Sequence, residues 1–499
     1  MSEHWTGRGA RLSTGNRQLD SILKGGLVRD RLYLVEGTPG TGKTTLAVEF
    51  VREGASRGET TLYITLGETA EELEATAASQ GWSLDGIEIF ELVPLEAQLD
   101  RQQTVLQPSE VELGETMNLV CERISERNPD RLVIDSLSEL RLLARDPLRF
   151  RRQILALKSF LTGRRCTTLL LDDLTNMPTG LQFHSIVHGV ITLEMRHREY
   201  GAVRRRLRVT KMRGSDFQSG HHDYLIKTGR FDVFPSLIAE DSKTPFRLET
   251  VSSELSELDA LLGGGLTRGT VSMLLGPSGA GKSSLALQYA MASVRRDEPV
   301  AIFAFDETFE TFAERAAGLG SDIKPAVADG SLAWIDMKPT RISPGEFTWS
   351  VRRHVEDKNV RLVIIDSLNS YLATMPEEQA LILHMHELLT YLDYRGVTTI
   401  VILSQHGLLG DLQAPIDFSF LSDTIILLRY FEAQGEVRKA ISVVKKRSGL
   451  HEPSIREYRL SSDGVQVGPM LLEFQGILAG TPTYTGMNRP LSGQFADAR

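Results

Sequence analysis

GTPGTGKT, from Gly37 to Thr44, fits the pattern G-x-x-x-x-G-K-[ST], and the pattern returns as GPSGAGKS from Gly276 to Ser283. A loop of this kind surrounds phosphate oxygens with backbone N–H groups, here from Gly40, Thr41 and Gly42 and again from Gly279, Ala280 and Gly281. Lys43 and Lys282 would bring positive charge to the phosphates, and Thr44 and Ser283 would each offer a hydroxyl oxygen to Mg²⁺, with Thr45 and Ser284 beside them. A single match arises by chance, so its flanks decide the reading. Leu32 to Val35 and Val271 to Leu275 are apolar runs just ahead of the loops. Helix-like stretches follow at Thr45 to Glu53 and Ser284 to Ser293. Strand, loop and helix in that order aim a helix N-terminus at an anion, which predicts an NTP site in each half.

The halves align further. Leu19-Asp20, Gly25-Gly26-Leu27 and Leu46-Ala47 face Leu258-Asp259, Gly264-Gly265-Leu266 and Leu285-Ala286 at the same offset as the two loops. A second block repeats as RLVIDSLSEL from Arg131 and RLVIIDSLNSYL from Arg361, at a slightly smaller offset. A third pairs KMRG at Lys211 with KKRS at Lys445. These are tandem copies of one domain, expected at 1–240 and 248–483. The polar, Pro-containing AEDSKTPFR from Ala239 reads as a linker, and 484–499 as a flexible tail. Short Leu-rich or β-branched runs alternate with helix-like stretches, so each half is predicted to be α/β, with a mainly parallel sheet flanked by helices.

A chain of 499 residues with 24% charged residues has ordinary globular composition and is too long for one core. The net charge of −9 argues against a dedicated nucleic-acid binder. Cys121 and Cys166 form no C-x-x-C pair, so neither a disulfide framework nor a zinc knuckle is indicated. With no signal-peptide core at MSEHWTGRGA and no long apolar run, a soluble cytoplasmic protein is expected.

The metal needs a carboxylate beyond the loop. Asp135 and Asp366 end apolar runs, at the strand ends where open parallel sheets bind ligands. Alone, such an Asp is more often a turn or cap; repeated with its own phosphate loop, it reads as a Mg²⁺ or water-orienting group. TLYITLGET and VAIFAFDET place Glu68 and Glu307 at equal spacing beyond Lys43 and Lys282, with Gly67 standing where the second half has Asp306. A carboxylate there can take a proton from an attacking water or hydroxyl. The competing reading is a set of solvated acids opening a helix.

The paired loops, the GGL segments, the acid-Thr strand ends, and the IDSL and KxRG blocks resemble the KaiC-like branch of RecA-type ATPases, the family of the circadian-clock ATPase and autokinase. The resemblance runs from about Leu12 to Pro482. It implies two RecA-like domains, ATP and Mg²⁺ as cofactors, and a double-ringed homohexamer with ATP between neighbouring subunits. The first ring would chiefly hydrolyse ATP, and the second would act as a serine/threonine autokinase in signalling through a protein partner. By the same resemblance Lys211 and Arg213, with Met212 and Ser215, and Lys445 and Arg447, with Lys446, approach the neighbour's nucleotide and compensate its γ-phosphate. Unaided, RRRLRVTKMR from Arg204 would read as a solvated or RNA-binding strand, its charges on one face. Ser79 and Gln80 would lie beside the first adenosine, and Lys439 and His451 near the second nucleotide.

Departures from the family pattern matter. Gly67 leaves only Glu68 where the first ring usually has two acids. Asp306, which can serve both as catalytic acid and as metal ligand, is one methylene short of the usual Glu, and Ser448 replaces Gly after Arg447. The family's Ser-Thr acceptor pair falls on Ser419 and Phe420, so Ser419 is the candidate phosphoacceptor, with Ser422 and Thr424 nearby, and a two-site cycle cannot run. Two other readings remain: a RecA- or DnaB-like DNA motor, and a scaffold that merely holds nucleotide.

Overall fold

The computed structural model describes residues 10–92, 109–144, 146–174, 181–197, 201–372, 378–405, 419–433, 435–478 and 482–485. The chain divides into two compact units, 1–236 and 237–499. The segment read as a linker contains a short 3-10 helix, Ala239–Ser242, and Ala239 is buried in the core of the second unit. Of the tail, Thr483–Tyr484 pairs with Phe474–Gln475, and 486–499 lies outside the described residues.

In the first unit the apolar runs become β1 (Leu32–Gly37), β2 (Thr61–Thr65), β3 (Ile87–Glu91), β4 (Arg131–Asp135), β5 (Thr167–Asp173) and β6 (Gly189–Arg196). These pair in parallel. They continue antiparallel into β7 (Arg204–Met212), β8 (His222–Lys227) and β9 (Arg230–Phe234). The order is β3-β2-β4-β5-β1-β6-β7-β8-β9, a sheet of nine strands.

The second unit repeats it. Its strands are β10 (Val271–Gly276), β11 (Val300–Ala304), β12 (Leu332–Asp336), β13 (Leu362–Asp366), β14 (Thr398–Ser404), β15 (Thr424–Ala433), β16 (Glu436–Lys446), β17 (Ile455–Ser461) and β18 (Gly464–Met470). Their order, β12-β11-β13-β14-β10-β15-β16-β17-β18, matches the first sheet strand for strand. The expected pair of RecA-like α/β domains, mainly parallel with helices on both faces, is what the chain adopts.

Both faces of the inner parallel strands are buried, which is why their runs are largely apolar, whereas the edge strands β3 and β12 are mostly half-buried. Alternate residues feed separate cores: Leu34, Ile64, Ile134 and Leu170 enter one, and Val35, Tyr63, Val133 and Leu171 the other. In the second sheet Met273, Phe303 and Val363 part in the same way from Leu274, Ile302 and Ile364. The predicted alternation of Arg206, Leu207, Arg208 and Val209 holds, with Leu207 and Val209 buried and Arg208 exposed.

Candidate functional site

Each phosphate loop closes the C-terminal end of the middle strand, β1 or β10, and leads into a helix, Lys43–Ser56 or Lys282–Arg295. The residues capping these helices are Gly42 and Gly281, with φ of 93° and 101°. That left-handed conformation costs Gly nothing, and at position 42 a Cβ would stand 2.4 Å from Ile226 Cδ1. Neither helix has a side-chain cap, so its first N–H groups face the loop interior without a side-chain acceptor. Unpaired donors at a helix start suit an anion, and the hydroxyl–carboxylate pairs described next offer hard oxygen donors of the kind Mg²⁺ takes. The residues therefore fit a magnesium nucleotide.

In the first domain Lys43 Nζ donates to the carbonyls of Gly37 at 2.9 Å and Thr38 at 3.2 Å, and pairs with Asp173 Oδ1 at 2.6 Å. Thr44 Oγ1 donates to Asp135 Oδ2 at 3.0 Å, and Tyr63 OH donates to the same oxygen at 2.6 Å. Burial pushes the Asp135 carboxyl above its ordinary range, opposed by those two hydrogen bonds. Glu68 is also pushed up, first by burial and then by the charges of Asp135 and Glu72. It stands at the mouth of β2, and its backbone carbonyl accepts a bond from Thr65 Oγ1 at 2.7 Å.

In the second domain Lys282 Nζ donates to the carbonyls of Gly276 at 2.9 Å and Pro277 at 2.7 Å. Burial lowers its pKa to about 8, with Asp366 acting in the other direction. Asp366 is raised by burial, and a hydrogen bond from Ser283 opposes the shift. Ser367 Oγ donates to Asp306 Oδ2 at 2.6 Å, and Ser370 Oγ donates to its other oxygen. Glu307 pairs with Arg315 at 2.5 Å. A cavity of about 330 Å³ brings together Gly279, Gly281, Lys282, Ser283, Ser284, Asp306, Glu307 and Asp366.

The basic blocks lie elsewhere. Arg213 N–H donates to the His188 carbonyl, and His188 N–H to that of Leu32, the first residue of β1. Likewise Arg447 N–H reaches Asp423, and Asp423 N–H reaches Val271, which opens β10. Both blocks therefore occupy the end of their sheet opposite the phosphate loop. There Arg213 lines a cavity of about 470 Å³ with Arg31, Lys158, Arg164 and Arg165. Lys211 Nζ donates to the carbonyls of His184 and Val187, and Lys445 Nζ to that of Ser422 at 2.7 Å. Met212 is buried at the end of β7, and Lys446 Nζ donates to the carbonyls of Leu262 and Gly265.

Ser79 ends the helix Ala70–Ser79, Gln80 caps it, and the Gln80 carbonyl lies against Gly229 in the β8–β9 turn. Lys439 Nζ stands over the Tyr430 ring, 5.9 Å from its centroid. Ser419 opens the short 3-10 helix Ser419–Leu421. Ser422 and Thr424 are fully buried, so neither offers an exposed hydroxyl. Among the described residues no group of three His, Cys, Asp or Glu could hold a metal, and no helix is long and apolar enough to cross a membrane.

Three participants were missed in the sequence: Asp173 on Lys43, Tyr63 on Asp135, and Arg315 on Glu307. Asp173 had a signal, since TTLLLDD ends an apolar run with acids, as RLVID does.

Fold and site together define a two-domain P-loop nucleotide-binding protein of RecA-like topology. The sequence model of the family described as "ATPase: KaiC" matches residues 12–237 and 251–471, and the chain belongs to that family. It is 26% identical to "Circadian clock protein KaiC3" of Synechocystis sp. (strain ATCC 27184 / PCC 6803 / Kazusa), covering 97% of each chain. It is 25% identical to "Circadian clock oscillator protein KaiC" of Synechococcus elongatus (strain ATCC 33912 / PCC 7942 / FACHB-805), covering 95% of this chain and 92% of the relative. With "Circadian clock protein KaiC2" of the same Synechocystis strain it shares 26% identity over 94% of this chain and 83% of the relative.

Proposed function

We propose that this KaiC-family ATPase works as a cytoplasmic homohexamer that binds one magnesium ATP at each phosphate loop, hydrolysing it in the first domain and transferring phosphate to Ser419 in the second. Lys43 and Lys282 hold phosphate charge, and Thr44 with Asp135 and Ser283 with Asp366 hold the metal. When bound, Mg²⁺ supplies Lewis acidity to the phosphoryl oxygens. Glu68 accepts a proton from water; Glu307, with Asp306, accepts one from a hydroxyl. Ser79 and Gln80 border the first adenosine, and Lys439 and His451 the second nucleotide.

The observation that carries this reading is the placement of loop and basic block at opposite ends of one sheet. The six-residue strand β1 separates them by about 20 Å at ~3.3 Å per residue. Lys211 and Arg213 cannot reach their own chain's loop, whereas a neighbouring copy could present them to it, as Lys445 and Arg447 would in the second ring.

Subunit mixing tests this. With the second loop silenced by Lys282→Ala, chains carrying Arg213→Ala and chains carrying Lys43→Ala should each release little phosphate. Mixed rings should recover activity, because some sites then combine an intact loop with an intact cation. Mixtures no more active than the average of their parts would overturn the intersubunit site. For the kinase, γ-labelled ATP followed by mass-spectrometric mapping should place label on Ser419 and lose it in Ser419→Ala; an unlabelled chain would leave hydrolysis as the whole activity.

A further inference from the structure

The two domains differ at the residue before the expected general base. Leu66 N–H donates to the Asp135 carbonyl at 2.7 Å, and Phe305 N–H donates to the Asp366 carbonyl at 2.7 Å, so Gly67 and Asp306 follow equivalent backbone positions. In the second domain Asp306 reaches across to Ser367 and Ser370, just after β13. Counting from Asp135 and Asp366, the position of Ser370 is held in the first domain by Glu139.

There the contact runs the other way. A Cβ placed on Gly67 would lie 3.6 Å from Glu139 Cγ and 3.7 Å from its Oε1, so the Glu139 side chain covers the bare α-carbon. Glu139 and Glu68 line one cavity of about 230 Å³, with Glu91 on its wall. Acid facing serine has become glycine facing acid, across the same gap.

We infer that Glu139 is the second carboxylate of the first-domain site, delivered from the helix Leu137–Ala144 because Gly67 delivers none. The inference rests on the hydrolytic reading of that domain. As the water oxygen bonds to the γ-phosphorus and the bond to the ADP oxygen breaks, Glu68 takes one water proton and Glu139 accepts a hydrogen bond from the other. Glu139 also stands in the first turn of its helix, where a carboxylate is favourable for the dipole alone. A purely local role of that kind would leave turnover indifferent to what occupies position 67.

The test uses the full chain with Lys282→Ala, read by phosphate release from magnesium ATP. Glu139→Gln keeps the shape and should lower kcat at least fivefold while KM stays within twofold. Glu139→Ser should fall likewise, and the exchange Gly67→Asp with Glu139→Ser, which copies the second domain, should recover at least half the rate. Glu139→Gln turning over within twofold of its parent, or an exchange variant as slow as Glu139→Ser, would overturn the assignment. A parent that releases no phosphate while binding nucleotide would instead sink the hydrolytic reading itself.

Discussion

Lys43 is held by Asp173 at 2.6 Å, whereas Lys282 meets no carboxylate at the matching place. Gly37 pairs with Asp173 across β1 and β5, and Gly276 pairs with Ser404 across β10 and β14, so Asp173 and Ser404 are equivalent. The first loop thus carries an internal anion that would compete with a bound phosphate for its lysine. A partly exposed pair of this kind is worth about 1 kcal/mol. Asp173→Ser should therefore tighten nucleotide binding at the first site about fivefold, measured with a fluorescent ATP analogue on the Lys282→Ala chain. Weaker binding would show that Asp173 serves the nucleotide instead of opposing it.

Tyr63 gives the first domain a second asymmetry, because Ile302 stands at its place in the other sheet. Its hydroxyl, with that of Thr44, stabilises the ionised form of the buried Asp135. Tyr63→Phe removes one donor and favours protonation. If Asp135 helps to hold the metal, the Mg²⁺ needed for half-maximal phosphate release should rise about tenfold, the scale on which outer-shell hydrogen bonds act. The change should be small in the second domain, which supplies the internal control.

Arg131 is fully buried, yet charged. Its Nε donates to Glu59 Oε2 at 2.5 Å and its Nη1 to the carbonyls of Ser13 and Phe50. It lies so close to Gly54 that a Cβ there would come within 2.5 Å of Arg131 Cδ. Removing one partner of a buried pair leaves the other charge uncompensated, at a cost of about 3 to 5 kcal/mol. Glu59→Ala should lower the first domain's unfolding midpoint sharply, read by denaturant titration. A loss under 1 kcal/mol would mean that water reaches Arg131 as readily as it reaches a surface residue.

The strands around the phosphate loops were legible because parallel strands buried on both faces must be apolar, and Leu32 to Val35 or Leu362 to Ile365 can be little else. The repeat also showed which acids correspond, so Glu68, Asp135 and their counterparts could be named from spacing. What spacing could not supply was reach. Whether Glu139 folds over Gly67 depends on the angle of a short helix, and whether Asp173 turns toward Lys43 depends on a rotamer. Arg131 is the charged first residue of β4, and only packing against Phe50 and Gly54 makes it interior.

Glu49, on the helix leaving the first phosphate loop, makes the stability of that domain depend on pH. Burial raises its pKa to about 7, more than Asn16 and Arg52 offset. A raised carboxyl binds more protons folded than unfolded, so its contribution is fully present below the unfolded value near 4.5. It is lost as pH rises through 7. Above that, the domain carries a buried charge that costs up to about 3 kcal/mol. Glu49→Gln keeps the size, and Asn16 Nδ2, now 3.4 Å from Glu49 Oε2, can still donate to the amide oxygen. The variant should match the parent near pH 4.5 and exceed it progressively up to pH 8, in paired urea titrations of the two chains. A stability difference that stays flat across this range would show that the carboxylate is already ionised and solvated in the folded domain.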